Sequence, residues 1–167
     1  MSEEKPQPKM SQAEFLQRLG DGFNEVIPHN VDIGVKTESI SKGDVVVHLP
    51  FREHWQADPQ HGLIHTGLVI SIADSASGLA VFSTIGGGER IATLDLRLDY
   101  LRAALAPHDL FCRAHVVRET SRIVFVTAHV FQRIDGEELR VAIGQGSFMR
   151  TGRRKGGWEK KGDSGNW

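Results

Sequence analysis

From Ala92 to Tyr100 the chain alternates without a break: Ala92, Leu94, Leu96, Leu98 and Tyr100 fall on one face, and Thr93, Asp95, Arg97 and Asp99 on the other. A period of two is the mark of a half-buried strand. Leu110 to Arg118, Ile123 to Ile134 and Leu139 to Met149 are also strand-like, parted by Glu119-Thr120-Ser121 and by Asp135-Gly136, a strong hairpin signal. Earlier, Val31, Ile33 and Val35 alternate on one side of the turn residues Ser41-Lys42-Gly43-Asp44, and Val45, Val47 and Leu49 on the other. This predicts a hairpin. Helical signals occur twice. Ser11-Gln12-Ala13-Glu14 fits a capping box, with Phe15, Leu16, Leu19 and Phe23 on one face and Gly20 and Gly22 placed to end the helix. The second helix is predicted from Thr66 to about Thr84, stopping at Gly86-Gly87-Gly88. Its apolar residues point all round the axis, so it is expected to be enclosed on most sides. A sheet curved around one buried helix satisfies that demand. The fold class is α+β, an antiparallel sheet of about five to six strands wrapped around a long central helix. A sheet covering only part of that helix leaves a flank exposed, which invites dimerisation.

Composition narrows the setting. At 167 residues the chain suits one domain, read as a leader over 1–10, a domain over 11–150 and a basic, glycine-rich flexible tail over 151–167. Lys+Arg of 20 against Asp+Glu of 21 gives a formal charge of −1, so no global basic field points to nucleic acid or an anionic membrane. The tail's Trp158 and Trp167 lack a folded aromatic platform for stacking bases. A single cysteine, Cys112, forms no intrachain disulfide and fits a reducing compartment; with an acidic, proline-containing start lacking an apolar segment, a cytoplasmic location is expected.

One residue interrupts the apolar helix. Asp74 lies among Ile72, Ala73, Ala76 and Leu79, and burying an unpaired carboxylate costs several kcal/mol. It must therefore be hydrogen-bonded, protonated, or set at the edge of a polar cavity. A bond to Ser71 or Ser77 would be a purely structural outcome.

His65-Thr66-Gly67 followed by Ile72-Ala73-Asp74-Ser75-Ala76, then Thr93-Leu94-Asp95-Leu96 with Tyr100-Leu101-Arg102, and a strand ending near Gly146-Ser147-Phe148-Met149, resembles the PaaI-type acyl-CoA thioesterases of the hotdog fold. The resemblance covers roughly residues 31–150 and implies hydrolysis of an acyl-CoA thioester, with CoA as part of the substrate and no separate cofactor. It implies that Asp74 is general base or nucleophile and that the Thr66 backbone N–H polarises the carbonyl. His65 would shape that turn, Gly62 would permit the approach, Gly67 would lie against the ligand, and Thr93 on the following strand would assist the attacking water. Two positions depart from the family's pattern: Thr66 stands where glycine is usual, and Pro59 where many members carry asparagine. Alternation also turns Thr93 away from the Leu94 face, so its use requires a bulge or access from a partner chain.

The chemistry agrees with the residues. Free N–H groups at the positive end of a helix suit a developing oxyanion, and a carboxylate either deprotonates water or attacks the carbonyl itself. His65 and Asp74 are nine residues apart, which on one helix means opposite sides and about 13.5 Å along the axis. One chain cannot bring both ends to one carbonyl. The expectation is a homodimer, alone or as a dimer of dimers, with two equivalent sites each built from both subunits.

Other candidates are weaker. His54, His61 and His65 lack the supporting ligands of a zinc site, so no metal is expected. Cys112 reads as an inert core thiol, and Gly86-Gly87-Gly88 as a helix stop. The phosphates of CoA need cations, for which Arg90, Arg122 and Arg150 are candidates. Two alternative functions are carried forward: a hotdog dehydratase or hydratase using His61 or His65 with Asp74, and a non-catalytic acyl-CoA-binding oligomer.

Overall fold

Ser11 opens the first element as read from the sequence: its hydroxyl accepts from the Glu14 backbone N–H at 3.2 Å while the Glu14 carboxylate takes the Ser11 N–H at 2.9 Å. The computed structural model describes residues 11–85 and 89–151; the leader over 1–10, Gly86-Gly87-Gly88 and the tail from 152 onward lie outside them. Helix α1 runs over Gln12–Val26, straight through both glycines expected to end it. Gly20 instead permits close approach. A Cβ there would stand 3.2 Å from Ile40 and 3.3 Å from Thr37, and Thr37 donates its hydroxyl to the Gly20 carbonyl at 2.8 Å.

The next segment corrects the sequence reading. Val31 and Ile33 lie not on a strand but on a short helix, α2, Pro28–Ile33, and the first strand starts beyond Val35. Pro28 supplies the φ a helix start needs and gives up only an N–H that would go unpaired. Gly34, at φ 79°, ends the helix in the left-handed conformation, and the Asn30 carbonyl accepts from both Gly34 and Val35. Alternation over three residues could not outweigh those two termini.

Strands β1, Lys36–Ser41, and β2, Asp44–Leu49, form the expected hairpin around Gly43, whose φ is 80°. A short excursion follows, in which β3, Gln56–Asp58, pairs with β4, Leu63–Ile64. Helix α3 spans Thr66–Ile85, close to its predicted bounds. Then come β5, Ile91–Tyr100; β6, Leu110–Glu119; β7, Ile123–Ile134; and β8, Glu137–Arg150. The six long strands make one antiparallel sheet in the order β1-β2-β6-β7-β8-β5, which leaves β5 at an edge.

Helix α3 packs chiefly on β6, β7 and β2. Its Ile72, Ala73, Ala76, Leu79 and Ala80 are fully buried, opposite Val47, Cys112, Ala114, Val124 and Phe148 from the sheet. The helix is long and apolar enough by composition to cross a membrane, but most of it is buried within the protein. It is the core helix of the α+β domain. Cys112 is buried, and desolvation pushes its thiol up to about 12, so it stays protonated.

Candidate active site

The carboxylate in α3 sits half-buried at the edge of a cavity of about 560 Å³. Phe23, Phe82, Ile91, Leu96 and Phe148 make that cavity largely apolar, while Asp74, Thr93, Ser71, Ser75, His29 and Asn30 supply its polar groups. Thr93 donates its hydroxyl to Asp74 Oδ1 at 3.0 Å.

That contact depends on an irregularity in β5. Thr93 pairs with Phe148 and Asp95 with Ser147, so Leu94 is an extra residue that no partner opposes. Such a bulge reverses which face each residue presents on its two sides. Thr93 therefore shares the inward face with Phe148, and Leu96 and Leu98 continue it beyond the bulge. Unbroken alternation would have put Thr93 outside and Leu94 inside; Leu94 is in fact 53 % exposed.

The N-terminus of α3 holds a different constellation. His65 accepts the Gly67 backbone N–H on Nδ1 at 3.0 Å, capping the helix with its imidazole. Its own N–H is taken by the Trp55 carbonyl at 2.9 Å. The Thr66 N–H at the first helical position has no protein acceptor among the described residues. A free N–H there is one of the orphan donors every helix start carries, and the helix dipole makes the spot attractive to an anion. Beside it is a second cavity, of about 320 Å³, bordered by Leu63, Val69, Tyr100 and Arg102. The residues expected in the site thus fall into two groups, Asp74 in the middle of α3 with Thr93 of β5, and His65, Thr66 and Gly67 at the N-terminus of α3. Within a single chain Asp74 and Thr93 border one cavity, and His65 and Thr66 another.

The cationic candidates gather at a third place. Arg150 is bound by the carboxylates of Glu89 and Glu119, and Glu89 is 7 % exposed, so this guanidinium balances buried negative charge. The Glu89 carboxylate raises its pKa further above the ordinary arginine range. Arg122 and Arg90 flank it through the backbone: the Arg122 carbonyl accepts from Arg150 N–H, and the Arg90 carbonyl from Thr151 N–H. Arg102, quoted in the motif but given no role, is the arginine beside the helix N-terminus.

Of the other histidines, His61 is held by Asp58, whose Oδ2 lies 2.7 Å from its Nδ1 and whose Oδ1 accepts the backbone N–H groups of Gln60 and His61. The loop in which Pro59 replaces asparagine is therefore organised by Asp58. The histidine that borders the Asp74 cavity is neither His61 nor His65 but His29, with Nε2 3.0 Å from Ser71 Oγ. Nothing local in the sequence marks it, because the contact spans 42 residues.

The family model described as "Thioesterase superfamily" matches residues 61–139. A "putative esterase" of Halobacterium salinarum is 34 % identical over 122 residues, covering 70 % of this chain and 80 % of that one. A "putative esterase" of Saccharolobus solfataricus is 26 % identical over 119 residues, 71 % and 81 % of the two chains. Among solved structures, a thioesterase family protein from Silicibacter pomeroyi superposes with a TM-score of 0.73 at 26 % identity, over 81 % of this chain and 97 % of that one. The PaaI protein of the E. coli phenylacetic acid degradation operon gives 0.75 at 20 % identity, over 86 % and 98 %, a likeness of fold.

Proposed function

The chain belongs to the thioesterase superfamily and has its hotdog fold, and on that premise we propose that it hydrolyses an acyl-CoA thioester to the free acid and CoA. The observation that carries this reading is the Thr93 to Asp74 hydrogen bond at 3.0 Å on the wall of an apolar cavity. It holds one carboxylate oxygen and leaves the other for the reaction.

In the proposed reaction the acyl group lies in the Asp74 cavity of one subunit, and its carbonyl oxygen accepts from the backbone N–H of Thr66 of the partner subunit. Water adds to the carbonyl carbon and passes a proton to Asp74, or the carboxylate itself attacks, in which case loss of the thiolate gives an anhydride that water then hydrolyses. Either way the oxyanion forms against a helix N-terminus and is stabilised there. The carbon–sulfur bond then breaks, and the thiolate leaves without demanding a strong acid. Two antiparallel copies of α3 are needed, because eight residues of helix hold each chain's Thr66 clamp and Asp74 about 12 Å apart. The proposed assembly is a homodimer, alone or as a dimer of dimers, consistent with the exposure of Leu94, Tyr100 and Leu101 on and beside edge strand β5. For the CoA phosphates the candidates are Arg90, Arg122 and Arg102.

Thiol release from a panel of acyl-CoAs tests the reading; no release from any member would overturn it. One observation favours a second reading: His29 and Asp74 border one cavity, as a dehydratase or hydratase of acyl thioesters requires. Appearance or loss of an α,β-unsaturated thioester without thiol release would establish that reading instead.

A further inference from the structure

Asn30 is 1 % exposed and borders the Asp74 cavity from α2. Its Oδ1 accepts from the Ser75 hydroxyl at 2.9 Å, and its amide nitrogen has no acceptor among the described residues. Folded chains leave few buried donors unpaired, because the desolvation is uncompensated. An acceptor carried into the cavity that Asn30 borders would pair that nitrogen. His29 extends the polar strip, with its Nε2 3.0 Å from Ser71 Oγ. Ser71 and Ser75 lie on either side of Asp74 in α3, so the strip runs within about one helical turn, 5.4 Å, of the carboxylate.

We propose that this strip recognises a neutral hydroxyl on the acyl chain, and that Asn30 is a specificity-determining residue of the hydrolysis on which this inference rests. The neighbours decide the chemistry of the group. A carboxylate there would be repelled by Asp74. An ammonium group brings only donors to an amide that already presents one. A hydroxyl accepts from the Asn30 amide and keeps a proton to donate to Ser71 or His29. Proximity to the reacting carboxylate places that hydroxyl on the first few carbons beyond the carbonyl. An unsubstituted acyl chain leaves the amide unpaired, and enzymes discriminate strongly against substrates that do so.

The test is kcat/KM for matched pairs: butyryl-CoA with 3-hydroxybutyryl-CoA, and hexanoyl-CoA with its 3- and 5-hydroxy derivatives, assayed by thiol release. The wild-type protein is expected to favour at least one hydroxy member by about tenfold or more. In Asn30→Leu that ratio is expected to fall to near one. If Asn30→Leu does not fold, Ser75→Ala, which removes the hydroxyl that holds the amide, is read in the same way. Asn30 also borders a groove shared with Asn24 and Thr37. Were its amide engaged there, the variants would lose stability and keep the wild-type ratio, and that result overturns the proposal. A wild-type ratio near one overturns it as well. Absence of thiol from every substrate sinks the hydrolase reading and this inference with it, whereas thiol release without hydroxyl preference sinks this inference alone.

Discussion

The Thr93 hydroxyl reaches Asp74 Oδ1 at 3.0 Å from a strand whose unbroken alternation would point it the other way. The bulge at Leu94 is what joins them. Thr93→Val keeps the shape and removes the donor. Its kcat/KM is expected to fall by about tenfold, the worth of one hydrogen bond to a charged group, while Thr93→Ser retains most activity. Equal rates for Thr93→Val and wild type would remove Thr93 from the site.

Asp74→Asn is nearly isosteric and abolishes both basicity and nucleophilicity. A loss of about 10³-fold or more in kcat is expected, with the assembly unchanged by gel filtration. Mixed assemblies of wild-type and Asp74→Asn chains are expected to keep about half their sites for equal mixing, if each site takes its acid from one chain. Full activity in Asp74→Asn would require a different reactive group.

Thr66→Pro isolates the proposed carbonyl clamp. Proline is welcome at the first helical position, so α3 is expected to form normally. The substitution removes the N–H that has no acceptor among the described residues. Loss of one oxyanion donor predicts a drop of about 10²-fold or more in kcat, and an undiminished rate would place the oxyanion elsewhere.

Arg150 and Glu89 predict stability rather than rate. Replacing Arg150 by Met removes the guanidinium from a carboxylate whose side chain is 2 % exposed, and breaking such a buried pair costs about 3–5 kcal/mol. The double variant Arg150→Met with Glu89→Gln is expected to regain much of that loss in thermal denaturation. Additive losses would show that the pair is not coupled.

His129 provides a pH dependence. Desolvation first, then the nearby Arg140 and Arg113 charges, lowers its pKa from the ordinary 6.5. The folded state thus binds this proton less readily than the unfolded chain, so stability is full above 6.5 and declines as pH falls below it towards the lowered value. Tm of wild type minus Tm of His129→Gln, followed from pH 7.5 downward, is expected to shrink on the acid side. A difference that grows on acidification would reverse the sign and refute the burial argument.

Most of the architecture was legible because its signals are local. The capping box at Ser11 and Glu14, the turn at Gly43 and the apolar run of α3 each depend on residues within a few positions. What failed depended on distant partners. Gly20 reads as a terminator until Thr37 and Ile40 are seen against it. Val31 and Ile33 read as strand until Pro28 and Gly34 are weighed as helix termini. The bulge at Leu94 has no composition of its own, since it is defined by how β8 pairs. His29 and Asn30 reach the cavity only because α1 and α2 fold back upon α3. The clustering of Asp74 with Thr93 became apparent from a motif whose halves lie 19 residues apart.

The eight-residue spacing from Thr66 to Asp74 makes α3 a measuring rod. Inserting one residue between Thr66 and Asp74 would swing everything beyond it by about 100° and advance it by about 1.5 Å. Under the two-copy arrangement the fault would be repeated at both reaction centres. Length variation among relatives is therefore expected to be absent from this stretch and tolerated at its ends, where a loop can absorb it.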